Sequence, residues 1–153
     1  MIKAILAAIV IAAVPVTVSA QEGDAELLAR LIYTEARGEC RGGQLMVAQT
    51  VLDRLEDGRW GDSVYDVIRS PGQFAGPGRL TPELLEVAQS ALDGERYSRS
   101  RRILFFRVSR CSGDWYAPFV GRIGGHAYYG HRRRNLWIII VASASDPNLN
   151  SFP

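Results

Sequence analysis

The stretch Thr81–Val108, TPELLEVAQSALDGERYSRSRRILFFRV, passes from helix grammar to strand grammar. Thr81-Pro82-Glu83 sets a capping hydroxyl, a proline at the first helical position and an acid in the first turn, which starts a helix strongly. Leu84, Leu85, Val87, Ala88, Ala91 and Leu92 continue it, and Gly94 ends it. Ile103-Leu104-Phe105-Phe106-Arg107-Val108 then reads as a strand. Upstream the periodicity is helical. Asp24 is placed to cap a helix from Ala25 to about Thr34, with Leu27, Leu28, Leu31 and Ile32 on one face and Gly38 after its end. A second helix spans about Gln44 to Leu55 and stops at Gly58, and a short one covers Ser63 to Arg69. Downstream, Gly125–Gly130 reads as another strand, and Leu136–Ala142 is an apolar run far too short to span a bilayer. Helices first and strands later predict an α+β fold, not a parallel α/β sheet.

The chain has 153 residues, 47% hydrophobic and 22% charged, which excludes disorder, collagen-like repeats and coiled-coil rods and leaves room for one domain. The net charge of +2 names no partner, but the charge is sorted. Gln21 to Asp66 holds ten acids against five arginines, and Arg96 to Arg134 holds ten arginines against one acid, Asp114. Such halves either pair across the fold or offer the basic half to an anionic polymer, a cell envelope or a nucleic acid.

Lys3, the apolar run Ala4–Val14 and the small-residue motif Val18-Ser19-Ala20 read as an export signal over residues 1–20, with Gln21 as the new N-terminus. The alternative is an uncleaved membrane anchor. Residues 21–134 then form the functional domain, and 135–153 a tail of unassigned role. Export would put Cys40 and Cys111 in an oxidising compartment, where two cysteines suggest a disulfide; two unrelated buried thiols are the alternative. The only histidines are His126 and His131, and no metal-ligand spacing is present, so neither metal nor cofactor is expected.

The densest polar cluster is Tyr33-Thr34-Glu35-Ala36-Arg37-Gly38-Glu39-Cys40. A carboxyl at a helix end beside Ile32 and Tyr33 loses part of its hydration, which favours the protonated form a general acid needs. Were the helix to continue, Glu35 and Glu39 would lie side by side at i, i+4 and share protons. Alternatively, Arg37 or Arg41 holds Glu39 in an ion pair and Glu35 titrates alone. Glycosidic cleavage asks for such an acid, with aromatics as sugar-stacking platforms. Gln73-Phe74 on a turn, Trp115-Tyr116 in a loop and Tyr128-Tyr129 on a strand are candidates, although a strand aromatic is more often core.

Tyr33-Thr34-Glu35-Ala36-Arg37-Gly38-Glu39, then Gly43, Val47-Ala48 and Val51-Leu52-Asp53-Arg54, resembles the opening signature of the SleB-type cell-wall hydrolases, the spore-cortex-lytic enzyme family. Gln73-Phe74, Ala91-Leu92-Asp93-Gly94 and Ile123-Gly124-Gly125-His126-Ala127-Tyr128-Tyr129 match later pieces in order, so the resemblance covers about Leu27 to Gly130. It departs from the family at Asp53, where Asn is usual, and at Tyr128, where Phe is commoner.

The resemblance implies a lysozyme-like helical core with a small antiparallel sheet. It also implies a lytic transglycosylase that cuts peptidoglycan between N-acetylmuramic acid and N-acetylglucosamine. Glu35 would be the catalytic acid and base, with Arg37 and Glu39 supporting it. Gln73, Phe74, Trp115, His126 and Tyr129 would bind substrate. Partners would be glycan strands, with no nucleic acid, membrane contact only through the signal, and a monomer acting in the periplasm or outside the cell. The alternative is an inactive peptidoglycan-binding envelope protein on the same fold. Intact-mass analysis of protein recovered from the envelope should give a chain beginning at Gln21; recovery only as a full-length, membrane-extracted species would mean an anchor.

Overall fold

A computed structural model describes residues 18–110 and 115–133, with side chains from Gly23 onward. Among the described residues, four helices, α1 (Val18–Ala36), α2 (Arg41–Asp57), α3 (Val64–Arg69) and α4 (Pro82–Leu92), precede three strands, β1 (Arg101–Val108), β2 (Phe119–Ile123) and β3 (His126–Arg132). The strands form one antiparallel sheet in the order β1-β3-β2. The α+β expectation holds.

Local chemistry sets most of the helix ends. Ser63 accepts from the Asp66 N–H to cap α3, and Thr81 accepts from the Leu84 N–H to cap α4. Gly58 closes α2 in the left-handed region at φ 78°, its N–H reaching the carbonyls of Arg54 and Leu55. One expectation is corrected. α1 starts at Val18, inside the stretch read as the export motif, so Asp24 lies within the helix and does not cap it.

α2 is the central helix, touching α1, α3, α4 and β1. That is why its apolar face is wide: Leu45, Val47, Ala48, Val51 and Leu52 all enter the core with Leu28, Ile32, Val67 and Ala88. Each large side chain buried there contributes about 1.5–3 kcal/mol. A second cluster, Met46, Ile103 and Tyr128, joins α2 to the sheet. β2 was not foreseen: Phe119-Val120-Gly121-Arg122-Ile123 has a central glycine and no buried residue, so it lacks the alternation that marks a strand. The apolar run Leu136–Ala142 and the residues from Arg134 to Pro153 lie outside the described residues.

Asp53 and Arg133 join the two halves of the chain. The Asp53 carboxylate is completely buried and accepts from the Ile103 N–H at 2.6 Å, from Gln49 Nε2 at 3.1 Å and from Arg133 Nη2. Arg133 also donates to Glu56 at 2.6 Å. The acidic and basic segments therefore pair across the fold at this point. Burial still pushes the Asp53 carboxyl above its ordinary range, against the pull of the Ile103 N–H and Arg133. Arg133→Ala should leave this carboxylate without its cation and cost about 2–3 kcal/mol in urea unfolding. Adding Asp53→Asn should recover most of that loss, because the uncompensated charge is gone. Additive losses would contradict the pairing.

Candidate active site

Glu35 sits in the last turn of α1, half-buried, with its side chain at the surface between the helix end and the loop after α3. Its Oε1 accepts from the Ala75 N–H at 2.8 Å. The same loop is fastened to α1 at further points. Thr34 Oγ1 donates to the Gly76 carbonyl at 2.9 Å, the Gly78 N–H donates to the Arg30 carbonyl at 3.1 Å, and Arg30 donates to the Gly78 carbonyl at 3.2 Å. Gly78 must be glycine for this close approach, since a Cβ there would meet Thr34 Oγ1 and a Tyr33 ring carbon at 2.6 Å.

Glu39 goes elsewhere. α1 ends at Ala36, so the i, i+4 juxtaposition with Glu35 does not form. Neither arginine proposed for it pairs with it. Arg41 bonds Glu95 at 2.6 Å, and the Arg37 guanidinium lies over the Tyr33 ring at 5.4 Å. Both Glu39 oxygens instead accept from the Gly125 N–H, at 3.1 and 3.0 Å. Gly124 and Gly125 are the two-residue turn between β2 and β3, and Gly124 takes φ +55°. A side chain at Gly124 would overlap the Glu39 carboxylate, so space and conformation both require glycine there.

The remaining candidates divide into groups. His126 follows that turn, with its Nδ1 buried, 3.7 Å from Glu39 Oε1 and, among the described residues, without a hydrogen-bond partner. Its ring meets Phe106 edge-on at 5.3 Å, and Phe106 in turn meets Phe74 at 6.2 Å. Tyr128 is fully buried and donates to the Gly43 carbonyl at 3.3 Å; burial, with Glu39 and Cys40 nearby, pushes its phenol above the ordinary range. Tyr129 is only 3% exposed, packs against Trp115 and Phe119, and accepts from Arg107 Nε at 3.0 Å. Its hydroxyl is engaged within the sheet by Arg107 of β1. Cys40 is the exposed N-cap residue of α2, whereas Cys111 lies outside the described residues, and so does the disulfide expectation.

Exposed Gln73 and half-buried Trp115 line one cavity of about 570 Å³ with Arg54, Trp60, Phe105 and Tyr116. In the sequence Arg54 is only the last residue of the Val51-Leu52-Asp53-Arg54 motif, and burial of an arginine on a helix face leaves no mark in periodicity. Burial lowers its guanidinium to about 10.

Gly124→Ala should lower stability by about 1–3 kcal/mol in thermal unfolding, through backbone strain and loss of the Glu39 seat. Gly58→Ala, at a left-handed position where the added methyl meets open space, should cost less.

A family model described as Cell Wall Hydrolase matches residues 38–129, beginning just past Glu35. The spore cortex-lytic enzyme of Halalkalibacterium halodurans is 34% identical over 116 residues, 70% of this chain and 34% of that protein. The cell wall hydrolase CwlJ of Oceanobacillus iheyensis is 30% identical over 122 residues, 71% of this chain and 86% of that protein. The chain thus spans about a third of the first of these relatives and most of the second. Among solved structures, the catalytic domain of Bacillus cereus SleB superposes with a TM-score of 0.60 at 23% identity, covering 71% of this chain and 90% of that one. The Bacillus anthracis SleB catalytic domain gives the same score and identity over 76% and 99%. These two share the fold. From the family match and the CwlJ coverage together, the chain belongs to the Cell Wall Hydrolase family.

Proposed function

We propose that the chain is a peptidoglycan lytic transglycosylase that cleaves the bond between N-acetylmuramic acid and N-acetylglucosamine, with Glu35 as its acid and base. The observation that carries this reading is the seat of Glu35. An accessible carboxyl at a helix end is held by one backbone N–H of the loop that also presents Gln73 and Phe74. Family membership and the SleB-like fold support it.

In this reading the protonated Glu35 gives its proton to the glycosidic oxygen as the C1–O bond breaks. The muramic C6 hydroxyl then attacks C1, and its proton returns to the Glu35 carboxylate. A 1,6-anhydro end forms, and no water is consumed. A second carboxylate is unnecessary, which suits Glu39 being occupied with the Gly125 N–H. The site of action is the cell wall, reached by export.

Purified sacculi test it. Glu35→Gln keeps an oxygen to accept from the Ala75 N–H, so the loop should stay in place while proton transfer is lost. Clearing of turbidity should fall by at least about 10²–10⁴-fold with sacculus binding retained. Glu39→Gln should lose less. An inactive Glu39→Gln beside a fully active Glu35→Gln would overturn the assignment. A parent chain that binds sacculi without ever clearing them would make the protein a binding module.

A further inference from the structure

The 570 Å³ cavity beside the Gln73–Phe74 loop has a cationic floor that the cleavage chemistry does not use. Arg54 is only 4% exposed, and its Nε donates to the Leu104 carbonyl at 2.8 Å. Its guanidinium carbon lies 4.9 Å from the ring centres of both Trp60 and Phe74 and 5.7 Å from that of Phe105. Among the described residues no carboxylate bonds to Arg54, and its buried Nη1 has no hydrogen-bond partner.

A guanidinium removed from water without an anion is costly, and three aromatic faces with one carbonyl offset only part of that cost. The imbalance lies at the wall of a cavity. Trp115 and the 78% exposed Tyr116 form its rim, Gln73 adds an amide and His131 an imidazole, while Arg59 on the same wall is already paired with Asp57. Among the described lining residues none is acidic. Aromatic walls suit the apolar faces of sugars, and an unpaired guanidinium suits a carboxylate. The cavity and the Glu35 seat are linked through one loop, because Gln73 lines the first and the Ala75 N–H holds the second.

We infer that this cavity is a substrate subsite in which Arg54 receives a carboxylate carried by the glycan strand, while Trp115 and Tyr116 cover the adjoining sugar. The inference rests on the glycan-strand reading of the chain and adds to it the part of the substrate that is gripped away from the scissile bond. Two groups on the strand have the required chemistry: a stem-peptide carboxylate, and the lactyl carboxylate of a muramic residue without peptide.

The test is calorimetric binding to the full chain carrying Glu35→Gln, with tetrasaccharide strand fragments in two pairs. One pair bears stem peptides with free or amidated carboxylates; the other is stripped of peptide, with the lactyl carboxylate free or amidated. In one pair amidation should weaken binding about tenfold or more, and that pair identifies the source. Arg54→Gln should abolish the difference while leaving affinity for the amidated fragment within about twofold. Equal affinities within both pairs would overturn the proposal, as would Arg54→Gln weakening free and amidated fragments alike. Should Arg54→Gln fail to fold, Tyr116→Ala decides the location: at this exposed rim it should weaken the free-carboxylate fragment several-fold, and no change would exclude the cavity. The two readings fail separately. Anhydro products with charge-blind binding would sink only this inference, and charge-dependent binding without cleavage would sink only the catalytic reading.

Discussion

The first strand is fastened to the helical half of the protein by side chains on the buried face of α2. Asp53 accepts the Ile103 N–H, Arg54 donates to the Leu104 carbonyl, and Gln49 bridges Asp53 to the Ser98 carbonyl and N–H. Gln49, Thr50, Asp53 and Arg54 are consecutive or one turn apart on α2, and all are buried. An apolar helix face would pack against a sheet in several registers; polar bonds to particular backbone groups of β1 admit one. Phe105 and Phe106 of β1, which line the cavity, take their position from that contact.

The opposite wall is held from α1. Arg30, Thr34 and Glu35 bind the backbone from Ala75 to Gly78, and Glu39 binds the β2–β3 turn at Gly125. One helix end therefore addresses two separate loops, and the motif that runs from Tyr33 to Glu39 is a fastening device, whatever chemistry Glu35 is proposed to carry. This explains why two glutamates four residues apart take unlike roles. The break of the helix after Ala36 turns Glu39 toward the sheet and leaves Glu35 facing the loop.

The helices and the change to strands were legible in the sequence because Thr81 and Gly58 mark helix ends by local chemistry, whereas the start of α1 was not, since Asp24 lies inside the helix. β2 was not, since Phe119–Ile123 is a strand only because β3 offers it backbone partners. The position of Glu35 at a helix end followed from periodicity. The partners of Glu39, the burial of Tyr129 and the aromatic setting of Arg54 did not, because all three depend on residues distant in the chain. Asp53 shows the same limit. As a departure from the family's usual Asn it had no evident meaning alone, but beside Arg133 it is half of an ion pair, and it gives a use to one arginine of the Arg132–Arg134 run.

The central claim is that the strand is cut by its own C6 hydroxyl under the control of Glu35, and the origin of the oxygen at the new end tests it most directly. Sacculi digested by the parent chain in water enriched in oxygen-18 should yield muramic ends that carry no heavy oxygen and that weigh one water less than reducing ends. Muramic ends carrying one oxygen-18 at C1 would mean that water, not the C6 hydroxyl, attacks, and would contradict the account.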